Sequence, residues 1–224
     1  MPRLKATPRP TLPAVLLTGF DPFGGDAVNP SWLAVQALHG RRILGHRIIA
    51  ARLPTVFGDS LIALRALLRE HRPALVICVG QAGGRTALSM ERVAINVDDA
   101  RIPDNAARQP IDAPVVPGAP AAYFSTLPIK AMHAALQRAG IPGEVSQTAG
   151  TFVCNHVFFG LMHLLATQRG MRKVRGGFVH VPWLPEQGVP SLPLAVITEG
   201  LAIAVRAALR QTSGDQALGA GATH

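Results

Sequence analysis

The stretch "PALVICVG" at residues 73–80 is a continuous apolar run that ends in a glycine-rich turn. A short run of this kind predicts a strand that is buried on both faces. Residues 14–20, "AVLLTGF", repeat the pattern before a turn rich in Gly, Pro and Asp. Amphipathic segments such as "GDSLIALRALLREH", at residues 58–71, separate such runs. Strands that alternate with helices favour a mainly parallel sheet with helices on both faces.

The alternation continues along the chain, and we predict one α/β domain over residues 14–212, an open, mainly parallel sheet in an α/β/α sandwich. The predicted strands cover residues 14–20, 46–54, 73–80, 91–97, 143–150 and 176–183. The predicted helices cover residues 30–38, 58–71, 128–140, 154–168 and 193–211. In the first helix, Asn29 is a candidate N-cap and Pro30 suits the first helical position. Residues 1–13 and 213–224 are predicted to be flexible tails.

The composition indicates a globular chain with an aliphatic core. Apolar residues make up 48% of the 224 residues, and aromatic residues make up 5%. The longest apolar runs are too short to span a bilayer. The chain begins with "MPRLKATPRPTLP", which lacks the apolar segment of a secretory signal. We therefore expect a cytoplasmic protein that does not associate with a membrane.

The chain carries 22 Lys and Arg residues against 13 Asp and Glu residues, a formal net charge of +9. Such an excess suggests a nucleic-acid partner. The basic residues are scattered, however, singly or in short groups such as "GRR" at residues 40–42 and "MRKVR" at residues 171–175. We therefore expect no nucleic-acid partner and interpret the charge as the basic surface of a soluble enzyme.

The two cysteines, Cys78 and Cys154, are too few for a disulfide scaffold and are not spaced like zinc ligands. Cys78 lies inside the apolar run "ALVICVG" and is expected to be an inert core thiol. Cys154 lies at a strand–turn–helix junction in "GTFVCNHVFFGLMH", where the helix N-terminus would stabilise a thiolate and its N–H could bind an oxyanion. The alternative is that Cys154 packs under Phe158 as a small apolar residue.

A nucleophilic cysteine needs a base, and the base needs a group that orients it. Of the eight histidines, His180 lies near the carboxyl end of a predicted buried strand, where ligands gather in such folds. A core histidine with satisfied hydrogen bonds is the alternative interpretation. His156 is expected to make local hydrogen bonds. Glu91 heads an apolar segment, where a carboxylate is unusual unless it is paired.

Residues 98–126 are predicted to form a long loop, and loops of this length are usually functional or disordered. Asp98 and Asp99 at its start could bind a metal ion, but no histidine or further carboxylate lies at ligand spacing. We therefore expect these two aspartates to flank a turn and expect no metal. Arg101 can either pair with them or stabilise developing negative charge.

The first glycine-rich loop, "TGFDPFGGDAVNP" at residues 18–30, has neither the G-x-G-x-x-G pattern nor the Lys-Ser/Thr pair of a phosphate-binding loop. It carries Phe20 and Phe23, which on a loop above a strand end are poor candidates for the core. They would suit a small, flat, mainly apolar ligand group. A second glycine-rich turn, "GQAGGR" at residues 80–85, carries Gln81 as a directional hydrogen-bonding group.

Together these segments resemble the pyrrolidone-carboxylate peptidase (pyroglutamyl peptidase I) family of cysteine peptidases. The motifs that carry the resemblance, in the family's order and over residues 14–210, are "LLTGFDPFGG…NPSW", "GQAGGR…ERVAINVDDARIPDN", "PAAYFSTLPIKAM", "AGTFVCNH" and "HVPWLPEQ". The resemblance implies an enzyme that removes an N-terminal pyroglutamyl residue from peptides without a metal or cofactor. It also implies a homo-oligomer, often a tetramer.

The resemblance implies a triad of Glu91, Cys154 and His180 and places Arg101 near the oxyanion. It further implies substrate-binding residues at six positions: Phe20, Phe23, Gln81, Ile102, Phe152 and Val153. Trp183 departs from the family, which often has a smaller residue there, and would alter the rim of the pocket while leaving the chemistry intact.

Pyroglutamate is a five-membered lactam without a charged amine, so its pocket needs apolar walls and a few polar groups instead of an acidic anchor. Three other functions stay open beside the peptidase. The same pocket could hold N-terminally blocked peptides without cleaving them. The glycine-rich loops could serve a nucleoside or nucleotide enzyme, and the net charge could serve nucleic-acid binding.

Overall fold

Residues 13–221 are the part of the chain that the computed structural model describes, and there strands and helices largely alternate. The strands are β1 (Val15–Phe20), β2 (Arg42–Ile43), β3 (His46–Leu53), β4 (Leu75–Gln81), β5 (Leu88–Glu91), β6 (Val93–Ile95), β7 (Ala122–Phe124), β8 (Gly143–Ser146) and β9 (Arg175–Val181). The helices are α1 (Pro30–Gln36), α2 (Asp59–His71), α3 (Ile129–Arg138), α4 (Val153–Thr167) and α5 (Leu194–Arg210).

Seven strands form the central sheet in the order β2-β3-β1-β4-β9-β5-β8. Four neighbouring strands, β3, β1, β4 and β9, are parallel to one another, and β5 is parallel to β8. Two pairings are antiparallel, β2 with β3 at one edge and β5 with β9. The remaining strands, β6 and β7, pair as a separate antiparallel ribbon. The predicted mainly parallel α/β sheet is confirmed.

Helices cover both faces of the sheet. Residues of α1, α3 and α5 belong to one apolar cluster, and residues of α2 and α4 belong to the other. Strand β4 contributes to both: Leu75, Ile77 and Val79 face the first cluster, and Val76 and Cys78 face the second. Because every residue of β4 is buried, the strand is apolar along nearly its whole length rather than alternating with polar residues.

The five predicted helices are all observed, and their ends lie within two residues of the predicted ones. The predicted start of α1 is confirmed in detail. Pro30 is the first helical residue, and the Asn29 side chain accepts a hydrogen bond from the backbone N–H of Ser31 at 3.1 Å. Such a cap satisfies one of the N–H groups that a helix leaves free at its start.

The predicted strand at residues 91–97 is wrong. Here the chain forms two strands in different sheets, since β5 ends at Glu91 in the central sheet and β6 starts at Val93 in the ribbon. The predicted loop at residues 98–126 contains β7, the partner of β6. Strand β2 was not predicted either. These strands have two to four residues each, which is too short for the alternation that identifies a strand.

The segment after α5 contacts the domain at Asp215. This carboxylate accepts hydrogen bonds from the backbone N–H groups of Lys130 and Ala131, at 2.9 and 3.0 Å, and so caps helix α3 from a distant part of the chain. This contact was not expected in the predicted flexible segment 213–224. The last three residues of that segment, and residues 1–12 of the predicted N-terminal tail, lie outside the described residues.

Within residues 13–221, no helix has the length and apolar character that crossing a membrane requires.

Gly19 of β1 lies where helix α1 crosses the strand, and a Cβ atom there would lie 2.5 Å from the Cα atom of Trp32. We expect Gly19→Ala to lower the free energy of unfolding by about 1–3 kcal/mol, because the backbone of α1 must move to admit the methyl group. Chemical denaturation measures this difference. Gly219→Ala is a matched control, since a Cβ atom there meets no atom within 4 Å. Equal stability of Gly19→Ala and the wild type would contradict the close contact.

Candidate active site

The thiol of Cys154 lies against strand β4 at Gly80. A Cβ atom on Gly80 would lie 2.7 Å from the Cys154 Sγ atom and 2.8 Å from the ring of Phe178, so only glycine leaves room for the thiol. Gly80 pairs in register with His180 of β9. Cys154, half-buried near the start of α4, therefore lies at the level of the His180 imidazole along the sheet.

His180 and Glu91 form a buried pair across two antiparallel strands. The His180 Nδ1 atom lies 2.7 Å from the Glu91 Oε1 atom, and the two residues are 3% and 0% exposed. The carboxylate accepts, so Nδ1 carries the proton and Nε2 is left as the free base. The ring of Phe178 packs on the imidazole with centroids 4.8 Å apart. The structure thus brings together the two residues expected to act as base and orienting group.

Arg85 joins this pair, and the sequence analysis did not single it out. Its Nη1 atom donates to Glu91 Oε1 at 2.7 Å, and its Nη2 atom donates to the carbonyl of Thr148 at 3.1 Å. One signal could have led to Arg85. Glu91 lies in an apolar segment, and a buried carboxylate needs a cation nearby. Arg85 is the last residue of the glycine-rich turn at residues 80–85 and lies six residues before Glu91.

The pKa values of both reacting groups are shifted toward their neutral forms. Burial lowers the pKa of His180, and the Glu91 carboxylate opposes this. Burial raises the pKa of the Cys154 thiol to about 12, and the charge of Glu91 adds to the increase. Burial and the Glu91 carboxylate therefore oppose the thiolate that the helix N-terminus was expected to stabilise at Cys154.

Cys78 is the core thiol that its sequence position predicts. It has no exposed surface, and burial raises its pKa to about 12. Cys154 differs because it is only half-buried. Accessibility, more than acidity, therefore distinguishes the two thiols.

Two buried polar residues after Cys154 fix the first turn of α4. Asn155 accepts a hydrogen bond from the N–H of Ile95 at 3.0 Å and donates to the carbonyls of Ile95 and Val97, each at 2.9 Å. Because all three partners are backbone groups of one segment, the turn that carries Cys154 is tied to that segment.

His156 was expected to make local hydrogen bonds, but both of its partners are distant in the chain. Its Nδ1 atom lies 2.7 Å from the Asp98 Oδ2 atom, and its Nε2 atom accepts from the N–H of Gly58 at 3.0 Å. Asp98 was expected only to flank a turn. It is instead buried against a histidine 58 positions away in the chain, a pairing that sequence spacing does not reveal. Among the described residues, no cluster of three or more His, Cys, Asp or Glu side chains has the arrangement of a metal site.

Three of the expected substrate-binding residues lie around the start of α4. Phe152 precedes the helix and packs on Phe23, with ring centroids 5.9 Å apart, and edge-on against Phe57 at 5.3 Å. Phe57 was missed because it lies in the loop before α2, away from any motif. The side chain of Val153 is fully buried in the core.

Phe20 belongs to the core, contrary to the expectation from its loop-like sequence context. It is the last residue of β1, is 2% exposed and packs on Phe178 with ring centroids 6.2 Å apart. The predicted strand at residues 14–20 already ended at Phe20, so the error was to count this residue as part of the loop. Phe20 therefore supports Phe178, which in turn supports His180.

Gln81 belongs to a polar network at the carboxyl ends of β4 and β9. Its Nε2 atom donates to the Asp26 carboxylate at 2.6 Å, and the Gln187 side chain donates to Asp26 at 3.1 Å and to the Gln81 oxygen at 3.3 Å. Asp26 and Gln187 were not predicted, although Gln187 lies in a motif quoted for the family resemblance and Asp26 lies in the first glycine-rich loop. This network fixes the orientation of the Gln81 amide.

Arg101 and Ile102 are both exposed and lie on the rim of a cleft of about 320 Å³ that Gly150 and Phe152 also line. Trp183, the departure from the family pattern, packs so tightly on Gly83 that a Cβ atom there would lie 2.3 Å from the indole. The part of Arg101 in binding an oxyanion stays a prediction.

An α/β domain with an accessible cysteine at a helix start, beside a buried His–carboxylate pair, has the components of a cysteine-type hydrolase. The comparisons with known proteins give the family. The family model described as pyroglutamyl peptidase matches residues 13–211. The chain belongs to the pyroglutamyl peptidase family, as its motifs predicted.

Curated relatives and solved structures agree. The pyrrolidone-carboxylate peptidase of Klebsiella pneumoniae is 59% identical over 215 residues, which cover 94% of this chain and 99% of the relative. That of Streptomyces coelicolor is 57% identical over 216 residues, with the same coverage. The crystal structure of pyroglutamyl peptidase I from Bacillus amyloliquefaciens is 48% identical, with a TM-score of 0.90 over 93% of this chain and 100% of that one.

We expect Asn155→Ala to lower the free energy of unfolding by about 1–3 kcal/mol, because it leaves partly buried backbone groups of Ile95 and Val97 without partners. Urea denaturation measures the loss. Asn105→Ala is the matched control: its side chain is exposed and makes one bond, to the carbonyl of Pro22 at 2.9 Å. If both variants lost the same small amount of stability, the hydrogen bonds of Asn155 to Ile95 and Val97 would not contribute to stability as proposed.

Proposed function

We propose that this protein hydrolyses the amide bond after an N-terminal pyroglutamyl (5-oxoprolyl) residue, through a thioester intermediate on Cys154. The observation that carries the proposal is the buried His180–Glu91 pair. His180 pairs in register with Gly80, the residue against which the Cys154 thiol packs. Membership of the pyroglutamyl peptidase family supports the substrate class. Peptides with an N-terminal pyroglutamate are therefore the proposed partners.

The chemistry begins with the neutral pair that the site favours. The His180 Nε2 atom takes the proton of the Cys154 thiol as the Sγ atom attacks the carbonyl carbon of the scissile bond. Glu91 stabilises the imidazolium that forms. The tetrahedral intermediate collapses as His180 gives this proton to the leaving amine, and a water molecule then hydrolyses the thioester with His180 again acting as the base. The enzyme returns to its starting state.

The negative charge of the tetrahedral intermediate needs donors. Cys154 lies in the first turn of α4, where backbone N–H groups point out of the helix without intrahelical acceptors. We propose that the Cys154 N–H stabilises the oxyanion and that Arg101 on the rim of the cleft assists it. One donor of this kind is worth about 100–1000-fold in rate.

We propose that the lactam ring binds beside the aromatic group formed by Phe23 and Phe152, next to Ile102 on the rim. A flat, uncharged ring suits such walls. The fixed amide of Gln81 would read the polar edge of the lactam. Phe20 and Val153 are buried, and they would act by supporting the walls from beneath.

We also propose a cytoplasmic homo-oligomer, a tetramer if it follows the family. Large apolar side chains that are more than two-thirds exposed, such as Ile62 and Phe124, support an assembly that would cover them. Light scattering coupled to size exclusion measures the mass in solution. The mass of a single chain would overturn the proposal.

The activity can be tested by release of a fluorophore from a pyroglutamyl amide, with a prolyl amide as the control substrate. We expect selective release from the lactam substrate and loss of release after treatment with iodoacetamide. Cys154→Ala should lose at least about a thousandfold in kcat, because the nucleophile is absent. Cys78→Ser should keep the activity, since Cys78 is a core thiol.

Full activity of a folded Cys154→Ala variant would exclude the thioester mechanism. A folded but inactive Cys78→Ser variant would show that the other thiol is the nucleophile. Binding of pyroglutamyl peptides without any release by the wild type would favour the non-catalytic binding function.

A further inference from the structure

The guanidinium of Arg85 connects two parts of the proposed catalytic site. One nitrogen donates to the Oε1 atom of Glu91, the atom that also faces His180, and the other donates to the carbonyl of Thr148. The side chain of Arg85 is 23% exposed, whereas that of Glu91 is fully buried. Arg85 therefore reaches from the surface to the carboxylate.

The buried carboxylate of Glu91 needs a full positive charge nearby. When His180 is neutral it offers only an N–H dipole, and an ionised group in the protein interior is costly unless it is paired. Among residues 13–221, Glu91 has two ion-pair partners, Arg85 and His180. Because burial lowers the pKa of His180, Arg85 is the partner that carries the charge in the resting site.

The second hydrogen bond of Arg85 acts on the loop that leads to the nucleophile. Thr148 lies between β8 and α4, six residues before Cys154. A planar guanidinium can hold two acceptors in a fixed relative position, which a lysine ammonium does less well. One side chain thus joins the orienting carboxylate to the segment that carries the thiol.

We propose that Arg85 is a positioning residue: its guanidinium balances the charge of Glu91, anchors the loop before Cys154, and so sets the pH range in which the site works. The inference rests on the proposed triad. It goes further, since it gives a role to a residue that does not itself touch the reacting atoms.

The direction of the effect follows from the charge. The titratable and charged groups around the thiol are Glu91 on β5, His180 on β9, Cys78 on β4 and Arg85 on the turn after β4. The positive charge of Arg85 lowers the pKa of the Cys154 thiol and also lowers that of His180. Its removal should therefore raise both pKa values, and the pH profile of kcat/KM should move toward higher pH.

The test is the second-order rate of alkylation of Cys154 by iodoacetamide at pH 8, followed by mass spectrometry of the modified peptide. We expect Arg85→Gln to react about three- to tenfold more slowly than the wild type, which corresponds to a pKa increase of roughly half a unit to one unit. Arg85→Lys keeps the charge and should react at close to the wild-type rate. A merely loosened loop would expose the thiol and accelerate the reaction.

Arg92→Gln is the matched control. Arg92 follows Glu91 directly, and its Nε atom donates to the side chain of Gln147 at 2.9 Å, so it too tethers the segment between β8 and α4. It forms no ion pair with Glu91. We expect Arg92→Gln to leave the alkylation rate and the pH profile of kcat/KM unchanged.

A second comparison covers the case in which Arg85→Gln does not fold. Glu91→Gln removes the charge that raises the thiol pKa and should accelerate alkylation, and Glu91→Gln/Arg85→Gln removes both members of the ion pair. The double variant should react more slowly than Glu91→Gln by the same three- to tenfold.

The proposal is overturned if alkylation is equally fast with and without Arg85 in both backgrounds, or if Arg92→Gln has the same effect as Arg85→Gln. Alkylation does not require turnover, so it reports on Arg85 even if no pyroglutamyl substrate is cleaved. The converse result is cleavage of the pyroglutamyl substrate by the wild type while the variants without Arg85 are alkylated at unaltered rates. This result would overturn the inference about Arg85 and leave the proposed activity intact.

Discussion

The ionisable side chain of Glu91, which has no exposed surface, is the constraint on which the site depends. A carboxylate in this position must be compensated, and the structure does so with His180 on the neighbouring strand and Arg85 from the turn after β4. The antiparallel pairing of β5 with β9 makes this possible, because it brings the end of β5 beside the middle of β9. The irregularity in an otherwise parallel region thus places the orienting carboxylate of the proposed triad.

The position of the Cys154 thiol depends on a second constraint: two residues next to the site must be glycines, because side chains there would clash with their neighbours. Gly80 leaves the space that the Cys154 Sγ atom and the ring of Phe178 occupy, and Gly83 leaves the space for Trp183. Larger residues at either glycine would displace the groups around the pocket. The glycine-rich turn after β4 therefore serves close packing, and Arg85 at its end brings the compensating charge.

Sequence patterns predicted the long, strongly patterned elements well: β1, β4, β9 and all five helices. They failed for β2, β5, β6 and β7, which have two to four residues each, and for contacts between distant parts of the chain. The pairing of His156 with Asp98, the cap that Asp215 gives to α3, and the contact of Arg85 with Glu91 depend on three-dimensional proximity. Local reasoning also could not anticipate what raises the pKa of Cys154, because the helix N-terminus is visible in sequence while burial beside Glu91 is not.

The shifts of both pKa values toward the neutral side chains also have a chemical consequence for the proposed amide hydrolysis. A thiol with a raised pKa loses its proton less readily, but the thiolate that forms is a stronger nucleophile. Burial that weakens His180 as a base makes its protonated form a stronger acid, and the amine must receive a proton before it can leave. Since the lactam brings no charge of its own, the site can stay neutral until the proton moves from sulfur to nitrogen. Burial therefore hinders the first proton transfer and assists the second, and Glu91 lowers the cost of the imidazolium between them.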